Sequence, residues 1–179
     1  MPTTPVLKAE NIILRSWQSD DLASLVLHAN NVKVWNNLRD YFPNPYTEKD
    51  GLDWIKKAKS KKGIIHWAIE INGEVAGCIS LNCKDDVYKY SAEMGYWLGE
   101  KFWNKGFMTK AVQLVVQFAF LELKLARIFS PVFEFNLASA SVLEKSGFHL
   151  EARLKKAVFK NEQLIDELLY VRLNPKLPR

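Results

Sequence analysis

The chain has 179 residues, 48% hydrophobic and 25% charged, with a formal net charge of +5. That length and balance predict one globular domain with a substantial core and exclude a disordered or fibrous chain; no apolar run approaches the ~20 residues that would cross a bilayer. The modest basic excess suits an acidic ligand without specifying one. The opening "MPTTPVLKAE" lacks the apolar core of a secretory signal, and Cys78 and Cys83 fall on opposite faces of one predicted strand. A reduced cytoplasmic protein with no disulfide and no zinc site is therefore expected.

In chain order, "NIILRSW" (Asn11 to Trp17) reads as a strand. "SDDLASLVLHAN" follows as a helix with Ser19 or Asp20 as its cap and Leu22, Leu25 and Val26 on one face. The loop "YFPNPY" leads into a second helix that starts at Thr47 and stops near Gly63. "IIHWAIEI" and "EVAGCISLN" are joined by Asn72 and Gly73, a strong hairpin signal. Then come a strand "SAEMGYWLG", a long apolar helix from about Lys105 to Leu123, a strand "ARIFSPVF", a helix "ASASVLEKSG", and two closing strands, "FHLEARLKKAVFK" and "LIDELLYVRL". This order predicts an α/β (α+β) fold, a mixed sheet of about seven strands with four helices on its faces, in a single domain spanning the chain.

The stretch "YWLGEKFWNKGFMTKAV" places a basic, glycine-containing loop at the mouth of the long helix. Free N–H groups and the helix dipole favour an anion there, with Gly106 allowing close approach and Lys101 and Lys105 adding charge. Two nucleotide motifs are excluded by counting. Asn104 stands where a G-x-x-x-x-G-K-S/T loop needs its second glycine, and no G-x-G-x-x-G occurs.

"EMGYWLGEKFWNKGFMTKAV" resembles the acetyl-coenzyme A binding segment of the GNAT acetyltransferases, and more narrowly the RimJ/RimL branch that acetylates ribosomal-protein N-termini. The family pattern Q/R-x-x-G-x-G/A falls on Trp103, Asn104, Lys105, Gly106, Phe107 and Met108, with Trp103 and Met108 departing from it. "NLASASVLEKSGF", "FKNEQLIDELLYVRL" and "IILRSWQSDDL" match further family segments in the right order.

The resemblance implies a sheet splayed between the fourth and fifth predicted strands. Trp97 and Leu98 would give main-chain contacts to pantetheine, and the N–H groups of Asn104, Lys105, Gly106, Phe107, Met108 and Thr109 would hold the pyrophosphate. Asn136 would reach the pantetheine amide. Glu93 is the implied general base and Ser139 the residue that stabilises the leaving thiolate, while an N–H near Leu98 would face the oxyanion. Trp35, Tyr41 and Phe42 fall in the region that forms the acceptor-side wall.

The implied activity is acetyl transfer from acetyl-CoA to a primary amine, of a protein N-terminus or a small molecule, by direct attack in a ternary complex. A base is needed because α-amino groups titrate near ~8 and lysine amines near ~10.4. No metal is implied, no membrane or nucleic acid is expected as a partner, and a monomer or homodimer fits equally. Two other readings stay open: a catalytically silent acyl-CoA binding module, and a basic ribosome- or RNA-associated protein using "KKAKSKK" (Lys56 to Lys62). His28, His66 and His149 are isolated and read as structural.

Overall fold

The computed structural model describes residues 4–60 and 63–176. Its elements are β1 (Leu7–Ala9), β2 (Ile12–Arg15), α1 (Leu22–Ala29), α2 (Val32–Trp35), α3 (Glu48–Ser60), β3 (Ile64–Ile71), β4 (Glu74–Cys83), β5 (Ser91–Leu98), α4 (Phe107–Leu121), β6 (Arg127–Phe133), α5 (Leu137–Lys145), β7 (His149–Lys160) and β8 (Gln163–Leu173). The strands form one eight-stranded sheet in the order β1-β2-β3-β4-β5-β6-β8-β7, antiparallel except for the β5–β6 pair.

The sheet exceeds the expected seven strands by β1, a three-residue strand that turns into β2 through Asn11 at φ 62°. Three residues are too few to display alternation. The four-residue α2 was equally illegible; it exists because the Asn31 side chain accepts the Lys33 N–H at 2.8 Å. The first helix is not capped by Ser19 or Asp20. A 3-10 turn at Ser19–Asp21 precedes α1, and the buried Asp21 carboxylate accepts the Gln18 N–H at 2.7 Å while holding Arg15 through two bonds.

Other local readings held. Asn72 at φ 52° and Gly73 at φ 81° make the β3–β4 turn, as two left-handed residues must to follow the strand twist. Thr47 and Asp50 cap α3 reciprocally, the Thr47 hydroxyl taking the Asp50 N–H and the Asp50 carboxylate the Thr47 N–H at 2.8 Å. Lys56, Lys57 and Lys59 lie on the wet face of α3, with Ile55 and Ala58 beneath them; Lys61 and Lys62 lie outside the described residues.

Helices cover the sheet on two faces. On α4, residues 108, 111, 112, 115, 116, 119 and 120 are buried, a continuous stripe at helical spacing. Each larger side chain in it stabilises the fold by about 1.5–3 kcal/mol. With α5 they build the larger core against Trp67, Ile79, Met94 and Ile128. Across the sheet, Leu25, Ala29 and Ile55 from α1 and α3 pack on Trp17, Ala68 and Cys78. Cys78 thus faces one core and Cys83 the other; both are free thiols.

The histidines have structural partners or surface positions. His28 meets Glu74 (Nε2–Oε1 2.7 Å), His66 meets Ser80 (Nδ1–Oγ 2.7 Å), and His149 is exposed at the start of β7.

Candidate active site

The parallel β5–β6 ladder runs only from Ser91 to Glu93 against Arg127 to Phe129. Beyond it, β5 stays paired with β4 to Leu98, and β6 stays paired with β8 to Phe133. The two central strands therefore diverge while each stays paired with its outer neighbour. This is the splay the resemblance implied.

Main-chain groups alternate in direction along a strand, so the bonds at its ends assign every residue between them. The Ser91 carbonyl accepts the Lys84 N–H at 2.9 Å, and the Gly99 N–H donates to the Ala76 carbonyl at 2.8 Å; both lie on the β4 side. The Tyr90 carbonyl instead accepts from Ala126 and Arg127, toward β6. Odd residues from 91 to 99 thus face β4, and Met94, Tyr96 and Leu98 face the gap.

The same reasoning applied to β6 shows why the gap opens. Arg127 N–H points to β5, so the N–H groups of residues 127, 129 and 131 take that direction. The next ladder bond would run from residue 131 to the Met94 carbonyl, and Pro131 has no N–H to give. The proline sits inside "RIFSPVF", a visible signal that the sequence reading passed over.

Trp97 is placed differently from expectation. Its main-chain groups belong to the β4 ladder, opposite Cys78, and its indole packs edge-on against Phe42 with ring centroids 5.8 Å apart. Leu98 does face the gap, but its carbonyl already accepts the Trp103 indole N–H at 2.7 Å, leaving its own N–H for a ligand. This also accounts for the tryptophan at a position the family fills with Gln or Arg: its donor caps the last gap-facing carbonyl.

At the end of the gap, Gly106 adopts φ 77° and opens α4 with no side-chain cap. The Lys110 N–H closes the first turn on the Gly106 carbonyl at 3.1 Å, so the N–H groups of Phe107, Met108 and Thr109 have no helical partner. Met108 replaces a small residue without blocking this cradle because its side chain turns into the core. Asn104, at φ 60°, and Lys105 form the exposed turn before it. Lys101 is bound to Glu74 at 2.7 Å, and the Lys105 ammonium donates to the Lys101 carbonyl at 2.8 Å.

The other side of the gap is α5. The Asn136 side chain accepts the Ser139 N–H at 3.1 Å, so it acts as the helix cap here. The Ser139 hydroxyl lies 2.8 Å from the Tyr96 hydroxyl, a contact that bridges β5 and α5.

Glu93 sits where the ladder ends, on the face of the sheet opposite Ala92 and Met94. Its oxygens are held separately, one by Arg39 (3.0 Å) and one by Lys84 (3.0 Å). The two cations come from the loop after α2 and from the residue that follows β4. Next on the same face is Gly95, exposed and with nothing within 4 Å of where a Cβ would stand. Beyond it come Trp97 and Phe42. Glu93, Gly95 and Trp97 thus form an open trough walled by the loop that carries Arg39 and Phe42.

Of the expected wall residues, Phe42 lines this trough. Trp35 stands further out, its ring under the Lys160 ammonium at 3.5 Å from the centroid. Tyr41 is 78% exposed and joins neither. Among the described residues no group of three or more His, Cys, Asp or Glu is placed to hold a metal, and no helix is long and apolar enough to cross a membrane.

Comparison with known proteins agrees with this geometry. The acetyltransferase (GNAT) domain family matches residues 11–149, and the chain belongs to that family. The probable N-acetyltransferase YjcK of Bacillus subtilis is 47% identical over 85 residues, which span 48% of this chain and only 47% of that relative. The putative ribosomal N-acetyltransferase YdaF of the same organism is 31% identical over 125 residues, covering 70% of this chain and 67% of its own. Among solved structures, RimL, described as a ribosomal L7/L12 α-N-protein acetyltransferase in complex with coenzyme A, superposes with a TM-score of 0.84 at 20% identity, covering 94% of this chain and 98% of that one. The protein is a GNAT acetyltransferase with a mixed α/β fold.

Proposed function

We propose that the protein moves the acetyl group of acetyl-CoA to a primary amine, that of a protein N-terminus or of a small molecule, by direct attack in a ternary complex. The observation that carries this is the gap itself, which opens between β5 and β6 and ends at the uncapped start of α4. The residues present fit the coenzyme. Met94, Tyr96 and Leu98 turn main-chain groups into the gap for an extended amide arm, and Phe107, Met108 and Thr109 offer N–H groups to a pyrophosphate. The bound coenzyme supplies an activated acyl group; the chain positions it and handles protons.

The trough on the Glu93 face is the acceptor side. Both Glu93 oxygens already accept from cations, so the carboxylate removes the amine proton through a water rather than by direct contact. The Leu98 N–H, free toward the gap, faces the developing oxyanion. Glu93→Gln is expected to lower kcat by roughly 10²-fold, the low end of the usual contribution of a positioned base, with the KM for acetyl-CoA unchanged. A free-thiol assay across N-terminal peptides, polyamines, amino acids and aminoglycosides tests the whole reading. No transfer to any of them despite tight coenzyme binding would favour a silent acyl-CoA module instead. The support for a polypeptide acceptor is the likeness to YdaF and RimL.

Pro131→Val restores the N–H that the β5–β6 ladder lacks. We expect the strands to pair one bond further and the coenzyme affinity to fall by about 10-fold, the worth of roughly one hydrogen bond that the ligand must now displace. Calorimetric titration with coenzyme A measures it, and unchanged affinity would show that other packing holds the gap open.

A further inference from the structure

Tyr96 is unlike the other groups facing the gap, because it contributes main chain on one side of β5 and a hydroxyl to the start of α5. Its oxygen lies 2.8 Å from Ser139 Oγ and 3.3 Å from the Ser139 carbonyl oxygen. The Ser139 N–H is already committed to Asn136. The phenol has one proton and two acceptors before it, so the pair has two arrangements. In one, Ser139 donates to Tyr96 and Tyr96 donates to the Ser139 carbonyl. In the other, Tyr96 donates to Ser139 Oγ and the Ser139 proton is free to point elsewhere.

We propose that Tyr96 is a positioning residue that aims the Ser139 hydroxyl at the coenzyme sulfur, by moving its own hydrogen bond from the Ser139 carbonyl to Ser139 Oγ as negative charge builds there. The proposal rests on the acetyl-CoA reading of the gap. Because the exchange needs only two hydroxyl rotations across contacts already in place, it requires no backbone movement.

The pair stabilises a thiolate and does not protonate it. Burial of the Tyr96 hydroxyl raises its pKa well above the ordinary phenol value, only partly offset by Ser139, whereas an alkyl thiol titrates near ~8.5. A proton therefore stays on each hydroxyl. The C–S bond breaks with its electron pair on sulfur, and the gain is a charge-assisted hydrogen bond made stronger by the one behind it.

The test reads the sulfur directly. Thiolate absorbance near 240 nm is titrated for protein loaded with coenzyme A, using desulfo-coenzyme A as the blank. The blank subtracts the protein's own thiols, and burial pushes Cys78 up to about 12 and raises Cys83 as well. In the wild type the bound thiol is expected to titrate about one unit below the free coenzyme, a tenfold stabilisation of the thiolate. Tyr96→Phe, which keeps the ring in the core, is expected to lose about half of that shift, and Ser139→Ala all of it. The double variant should match Ser139→Ala, because the two act as one unit. The same order is expected in kcat, with the KM for acetyl-CoA constant.

An unchanged thiol titration in Tyr96→Phe, or losses that add in the double variant, would overturn the proposal. The titration needs coenzyme binding but no acceptor. A shifted thiol in a protein that acetylates nothing would therefore uphold the Tyr96 role and reject the enzymatic reading. Failure to bind coenzyme would reject both.

Discussion

Gly77→Ala is expected to lower the melting temperature by about 5–10 °C and to weaken coenzyme binding together with it. A Cβ built on Gly77 stands 2.2 Å from the Trp97 carbonyl oxygen, 2.9 Å from Leu98 Cα and 3.1 Å from the Trp97 carbonyl carbon. All three are backbone atoms, so no rotamer relieves the contact, and β4 must move away from β5. Overpacking of this kind costs about 1–3 kcal/mol and more where backbone must shift, and each kcal/mol is worth about 2–4 °C in a chain of this size. The movement falls on the pair Gly77–Leu98, where β5 presents its last gap-facing residue. Gly95→Ala is the control, since its Cβ meets nothing within 4 Å and stability should not change. Thermal melts and a coenzyme titration decide the matter; a Gly77→Ala protein that melts like the wild type would mean the two strands are not locked in this register.

The second large effect concerns the tip of the β7–β8 hairpin. The Lys160 side chain is 1% exposed, with its ammonium 2.6 Å from Asp40, 3.4 Å from the Trp35 carbonyl and against the Trp35 ring. Asn161 adds a bond to Asn36 at 3.0 Å. These contacts tie the hairpin to the loop that carries Arg39 and Phe42, the wall of the trough proposed to take the acceptor. Asp40→Ala leaves a buried ammonium with a ring and one carbonyl. Breaking a buried pair costs about 3–5 kcal/mol, but Asp40 is 61% exposed, and water screening reduces this to roughly 1–3 kcal/mol. We expect a melting temperature lowered by several degrees and a raised acceptor KM, with the KM for acetyl-CoA unchanged. Lys160→Met, which keeps the apolar stem on Trp35, should cost less. If both variants match the wild type in stability and acceptor KM, the tie does not shape the trough.

Much of the site was legible because its parts are local. The uncapped start of α4 depends on Gly106 and the residues beside it, whereas Asn136, expected at the pantetheine amide, instead caps α5 at Ser139. Trp97 was misassigned because the direction of a main-chain group depends on which neighbour a strand pairs with, and the residues that fix this lie in β4 and β6. The partners of Glu93 were hidden for a related reason: Arg39 and Lys84 reach it from separate segments. Pro131 was readable as a proline within a strand, yet its meaning required knowing that its vacant donor position pointed at β5.

By itself the sequence determined the family, the order of the longer elements, the β3–β4 turn, the α3 cap and the mouth of α4, since periodicity, turns and caps are set by residues within a few positions of one another. Only the tertiary structure decided which face of β5 carries Glu93, which carbonyls open into the gap, that Tyr96 stands behind Ser139, and that Lys160 closes on Asp40 and Trp35. Those contacts join residues far apart in the chain, and no local preference encodes them.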